Sequence, residues 1–168
     1  MKNKMLKGIA LGVIAGLVIA CQPKKEETAA APVVDKEAIK AELQTMESAF
    51  ADAMNAGTPE SIVYYSDDVV SYDQNVAPLI GKKAVDAKLA DQIKNTAKGN
   101  KIAYTANEVF PSSDGNQVVE LGSYKVVDST GAAKSSGNYM ALFVKRDGKY
   151  TCIRDMGASD IPKKEEKK

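Results

Sequence analysis

Residues 64–75, YYSDDVVSYDQN, crowd three carboxylates, Asp67, Asp68 and Asp73, and three phenols, Tyr64, Tyr65 and Tyr72, around a short apolar run. Such groups can move protons or ligate a cation. A calcium loop at 67, 68 and 73 is a poor fit, because the spacing lacks the alternating oxygens of such loops. The chain has no histidine, which removes Ser/His/Asp and Cys/His triads and His-ligated metal sites. Asp67 and Asp68 read as a solvated corner between a helix and a strand, since Asp favours turns for local hydrogen-bonding reasons. The three tyrosines read first as half-buried packing residues with a wet hydroxyl. Asp73, beside Gln74-Asn75, suits either an inward carboxylate or an exposed turn.

The elements around this stretch follow from hydrophobic period and capping. Asp35 can cap a helix in which Ile39, Leu43, Met46, Phe50 and Met54 form one apolar stripe, with Lys36, Lys40, Glu47 and Asp52 outside it. Asn55-Ala56-Gly57 supplies the stop. Thr58-Pro59-Glu60 predicts a short second helix to about Tyr65, broken by Asp67-Asp68. Residues 69–73 predict a strand, ended by Gln74-Asn75 and Pro78. A third helix is expected from about Gly81, with Val85, Leu89 and Ile93 along one face, to about residues 98–100. Residues 101–110, 116–128, 132–146 and 150–157 predict strands, with Asp114-Gly115, Gly131 and Asp147-Gly148 in the turns. Three helices and then an antiparallel meander make an α+β domain, with the helices on one face of the sheet.

The ends of the chain speak to location. MKNKMLK followed by the apolar residues 8–20 is a secretory signal pattern, too short to span a bilayer comfortably. Val18-Ile19-Ala20-Cys21 resembles the lipobox of bacterial lipoproteins. That resemblance implies lipidation of Cys21 and cleavage after Ala20, giving an outer-membrane anchor on the periplasmic or cell-surface side. Residue 22 is Gln and not the Asp that retains some lipoproteins in the inner membrane, and CQPKKEE looks like a surface tether. Cleavage would remove Lys2, Lys4 and Lys7 and take the net charge from +1 to −2, without the basic excess expected of a nucleic-acid binder. Cys152, in an apolar segment, reads as a small buried thiol. The expected organisation is a signal peptide at 1–20, a lipidated cysteine and flexible linker at 21–34, one domain at 35–160, and a charged tail at 161–168 that repeats the PKKEE of the linker.

The order of these elements, NAG at 55–57, YSDD at 65–68, LIGKKAV at 79–85 and the ending NYMALFVKRDGKYTCIRDMGASD resemble the SnoaL-like branch of the nuclear-transport-factor-2-like superfamily. Tyr150 stands where relatives usually have Trp. The resemblance covers about residues 36–160 and implies a cone-shaped, curved antiparallel sheet wrapped around three N-terminal helices, with a cavity at the wide end and pairing as a homodimer. Matching YSDD to the ketosteroid isomerases of the superfamily implies a general base at Asp73. Their oxyanion-binding tyrosine corresponds to Phe50, which donates no hydrogen bond. An Asp-Arg-Asp set of the epoxide hydrolase kind would need Arg154, Asp155 and Asp73, yet adjacent residues on a strand face opposite ways.

The leading expectation is therefore a lipid-anchored domain without cofactor or metal that binds a small, mostly apolar molecule, with Tyr65, Tyr72, Asp73 and Tyr139 around the ligand. The alternatives are an isomerase or cyclase-type enzyme, with Asp73 as base and Tyr139 or Tyr124 as a displaced donor, and an interaction module whose cavity is filled by its own side chains.

Overall fold

The computed structural model of the chain describes residues 33–96 and 99–161. The signal pattern, Cys21 and the charged tail beyond residue 161 lie outside them. Helix α1 spans Lys36–Ala56, and the Asp35 carboxylate accepts the Ala38 N–H at 3.0 Å, so one of the helix's orphan donors is satisfied. Gly57 ends it at φ 75, a left-handed conformation that costs glycine nothing. Ile39, Leu43 and Phe50 are buried as the stripe requires, with Met46 and Met54 at its margins. Glu47 is buried among them at 2 % exposure, not outside the stripe as its charge suggested. It lies one turn from both Leu43 and Phe50, so its position on the helix leaves it no other face.

The expected second helix is a single 3-10 turn at Pro59–Ser61. Val63, Tyr64 and Tyr65 favour extended backbone, and the Tyr64 carbonyl accepts the Cys152 N–H at 2.9 Å. Strand β1 therefore begins at Tyr65 and runs to Asp73, β2 is the short Leu79–Ile80, and helix α2 covers Lys82–Asn95 with Val85 and Leu89 buried. The meander follows as β3 (Lys101–Pro111), β4 (Gln117–Val127), β5 (Ala133–Arg146) and β6 (Lys149–Ser159).

The sheet order is β2-β1-β6-β5-β4-β3. Its pairs are antiparallel except that β1 runs parallel to β6, so the sheet is mixed and not purely antiparallel. Irregular registers bend it around the helices: between Ala106 and Glu108 on β3, at Ile153 on β6, and across residues 66–69 of β1. Asp67 and Asp68 lie in that last irregularity, inside a strand and not at a helix-to-strand corner, and both are exposed. The Asp68 carboxylate accepts both arms of the Arg146 guanidinium at 3.0 and 3.1 Å.

Strand β3 closes one edge of the sheet, and α1 covers its free backbone groups. Gln44 accepts the Ala106 N–H at 2.9 Å and donates to the Tyr104 carbonyl at 3.2 Å. Three turns further on, Asn55 accepts the Ile102 N–H at 2.8 Å and donates to its carbonyl at 2.9 Å. Two side-chain amides thus stand in for a missing neighbouring strand. Between helix and sheet the core holds Leu43, Val69, Val109, Val118, Phe143 and Cys152, all wholly buried. Burial pushes the Cys152 thiol pKa up, which disfavours the reactive thiolate.

Candidate functional site

The concave face of the sheet does not close completely over α1 and α2. It leaves a cavity of about 690 Å³, within the range of small-molecule sites. Phe50, Met54, Val85, Leu89, Ile102 and Val126 give it apolar walls, while Glu47, Tyr64, Tyr65, Tyr104, Tyr139 and Asp155 give it hydrogen-bonding groups. The aromatic rings form a continuous network. Phe50 touches Tyr64, Tyr65 and Tyr104 at centroid distances of 5.0, 6.0 and 5.5 Å, and Tyr104 continues it to Tyr139 at 5.8 Å and Tyr124 at 6.2 Å.

Each of three carboxyl groups here is held by a phenol. The Tyr64 hydroxyl donates to Glu47, the Tyr65 hydroxyl to Asp155 at 2.7 Å, and the Tyr139 hydroxyl to Glu120 at 2.5 Å. Glu47 is raised to about 8, first because burial penalises its charged form and second because Glu120 lies close, with the Tyr64 hydrogen bond opposing both. Burial likewise raises Glu120, against the Tyr139 hydrogen bond. Tyr64, Tyr65, Tyr104 and Tyr139 are all pushed up by burial and by these neighbouring acids, which keeps them protonated donors. Glu120 Oε2 and Asp155 Oδ1 are buried without a partner.

Local chain geometry explains these placements. On β6 the extra residue Ile153 lets Cys152 face Phe143 while Arg154 faces Leu142. The alternation of the strand is thereby inverted, Asp155 joins the cavity, and Arg154 turns to donate to the Asp68 carbonyl at 3.0 Å. An Arg154-Asp155-Asp73 set is not assembled. On β4 and β5, Gly122 pairs with Tyr139 and Tyr124 with Gly137. A Cβ on Gly122 would come within 2.1 Å of the Tyr139 ring, and one on Gly137 within 2.6 Å of the Tyr124 ring. Each tyrosine therefore lies across a bare glycine backbone, which sets the ring that holds Glu120.

Of the residues expected around a ligand, Tyr65, Asp73 and Tyr139 line the cavity. Tyr72 does not: its neighbours Ser71 and Asp73 face inward, so alternation turns Tyr72 outward, where it is 44 % exposed. Asp73 sits at the end of β1, ion-paired with Lys88 of α2, and both side chains are about a third exposed. Phe50 is a wall residue and does not plug the space. Glu47, Glu120, Tyr104 and Lys88 were not singled out in the sequence. Two signals point to part of this group: Glu47 falls on the apolar stripe, and Gly122-Ser123-Tyr124 is echoed by Gly137-Asn138-Tyr139.

The chain matches no protein-family model and no curated protein. Its fold is shared with solved structures. One is a domain of unknown function with a cystatin-like fold from Nostoc punctiforme, at TM-score 0.60 and 16 % identity, covering 75 % of this chain and 77 % of that one. A ketosteroid isomerase-like protein from Erwinia carotovora atroseptica aligns at TM-score 0.53 and 17 % identity over 73 % and 97 % of the two chains. A protein provisionally assigned as a scytalone dehydratase from Novosphingobium aromaticivorans aligns at 0.59 and 14 %, over 74 % and 85 %. These likenesses show the fold alone: an α+β cone of the nuclear-transport-factor-2-like kind, with a curved mixed sheet and two helices.

Proposed function

We propose that this chain is a binding domain, tethered to the cell envelope by lipid at Cys21, which takes a small amphipathic molecule into its cone. The observation that carries the reading is the open cavity of about 690 Å³ with apolar walls and hydrogen-bonding groups at its floor. A purely apolar ligand would leave the Asp155 Oδ1 acceptor on the cavity lining without a partner, an uncompensated cost. The ligand therefore combines an apolar body with a polar head. Pairing of two copies belongs to the same reading, through an outer face where Tyr72, Met156 and Met140 stand opposite one another across β1, β6 and β5, each at least 43 % exposed.

An isomerase or cyclase-type enzyme is the second reading, favoured by Asp73 on the cavity wall. Against it, the Lys88 ammonium occupies the Asp73 carboxylate, and Phe50 offers no donor. The protein carries its own reporter for the test: it has seven tyrosines and no tryptophan, and five of those tyrosines line the cavity. Titration with amphipathic aromatic compounds should give a saturable change in tyrosine fluorescence, equal in wild type and Asp73→Asn. No saturable change with any compound would overturn the binding reading. Turnover of an enolisable ketone that disappears in Asp73→Asn would replace it with the enzyme.

A further inference from the structure

We propose that the cavity floor receives the ammonium head of an organic cation, with the aromatic and aliphatic walls enclosing its apolar body. The inference rests on the binding reading above and names its ligand class. Glu47, 2 % exposed, and Asp155 line the cavity, and Glu120, wholly buried, is held behind the Tyr139 hydroxyl. Their side-chain partners among the described residues are the phenols Tyr64, Tyr139 and Tyr65. Among the described residues no lysine or arginine is ion-paired with any of the three; Lys88, at the mouth, is taken by Asp73. Glu47, buried on the cavity lining without a counter-cation, must stay largely protonated or acquire a positive charge from outside.

Two further observations point to a guest. Asp155, on the cavity lining, keeps Oδ1 without a partner, as Glu120, wholly buried behind Tyr139, keeps Oε2. The surrounding ring network presents the π faces and edges with which protein sites enclose ammonium groups. A metal ion is a poorer occupant, because no group of three or more acids or thiols among the described residues is arranged to hold one. An anionic head would meet Glu47 and Asp155 and gain no guanidinium, since Arg146 and Arg154 both bond Asp68 on the outer side.

The guest would draw the proton from Glu47. The groups facing that carboxyl are Tyr64, Tyr104 on β3, Glu120 on β4, Tyr139 on β5, and Asp155 with Cys152 on β6. The phenols and the thiol are pushed upward, so between pH ~6 and ~9 Glu47, raised to about 8, is the floor group that titrates. Ammonium binding should then tighten as pH rises, with proton release.

The test titrates the full chain with phenethylamine, phenethyl alcohol, hydrocinnamate and ethylbenzene, which share one body and differ in the head. Calorimetry and tyrosine fluorescence read the binding. The expected result is that the ammonium binds at least about tenfold more tightly than the alcohol, releases protons, and strengthens from pH ~6 to ~9. Glu47→Gln and Glu120→Gln should each reduce the ammonium's affinity and leave the alcohol's unchanged, with circular dichroism confirming that each variant folds. Equal or tighter binding of the alcohol, the acid or the hydrocarbon overturns the cation proposal and leaves the pocket reading standing. Affinity for the ammonium that falls with pH overturns it too, because the ligand would then be using a protonated carboxyl as donor. If none of the four binds, both readings fall.

Discussion

Glu47 couples the site to the stability of the whole chain. Its carboxyl titrates at about 8 in the folded protein against an ordinary 4.5, because it is buried and has Glu120 for a neighbour. Below 4.5 the folded and unfolded chains are both protonated there, and the residue is neutral to stability. Between 4.5 and about 8 the unfolded chain loses the proton that the folded chain keeps, so stability falls as pH rises and the whole loss is reached above about 8. Glu47→Gln keeps the shape and an acceptor for Tyr64 while removing this ionisation. Thermal and urea unfolding should show the variant close to wild type near pH ~4 and more stable by on the order of 4 kcal/mol near pH ~9. A difference that does not grow with pH would mean that Glu47 is ionised in the folded chain. Nothing in the letter E between a threonine-methionine pair and a phenylalanine announces such a state. The helical period alone places the residue inward, and only Tyr64, reached through the later path of the chain, makes that position tolerable.

The elements show where local pattern suffices and where it does not. Helix α1, helix α2 and the four strands of the meander lie within a few residues of their expected bounds, because capping, apolar period and Asp-Gly or Gly turns act over short distances. The second helix failed for the opposite reason: Thr58-Pro59-Glu60 is a sound start, but the residues that follow are held extended by β6, some ninety positions later. Asp155 was equally illegible, since a single extra residue, Ile153, decides which of two neighbours faces the cavity. The edge strand offers a direct test of how α1 acts on the sheet. Replacing Gln44 and Asn55 by alanine removes the groups that accept the Ala106 and Ile102 N–H. Each substitution should cost about 1 kcal/mol. Hydrogen exchange should speed up at Ala106 and Ile102 and leave β5 amides unchanged; uniform loss of protection across the sheet would show that these amides only pack.

At the scale of the molecule, the proposed tether and the domain make separable demands. The tether needs a thiol at residue 21, and the domain does not, because its own Cys152 is buried inside the core. Metabolic labelling with a fatty acid should therefore mark the wild-type chain and not Cys21→Ser, while both retain the same unfolding midpoint once released from membranes. Persistent label on Cys21→Ser would sink the anchor. The parallel seam between β1 and β6 has a consequence of its own for how such a chain is made. The first long strand, with its short partner β2, finds its other neighbour only in the last strand, so the contacts of highest sequence separation are also those that close the cone. An emerging chain holds β1 unpaired on that side until almost all of it has been delivered, and the wall carrying Asp155 arrives in the same step. If the proposed tether is correct and the chain crosses a membrane unfolded, this order of events would postpone completion of the fold until transit is over.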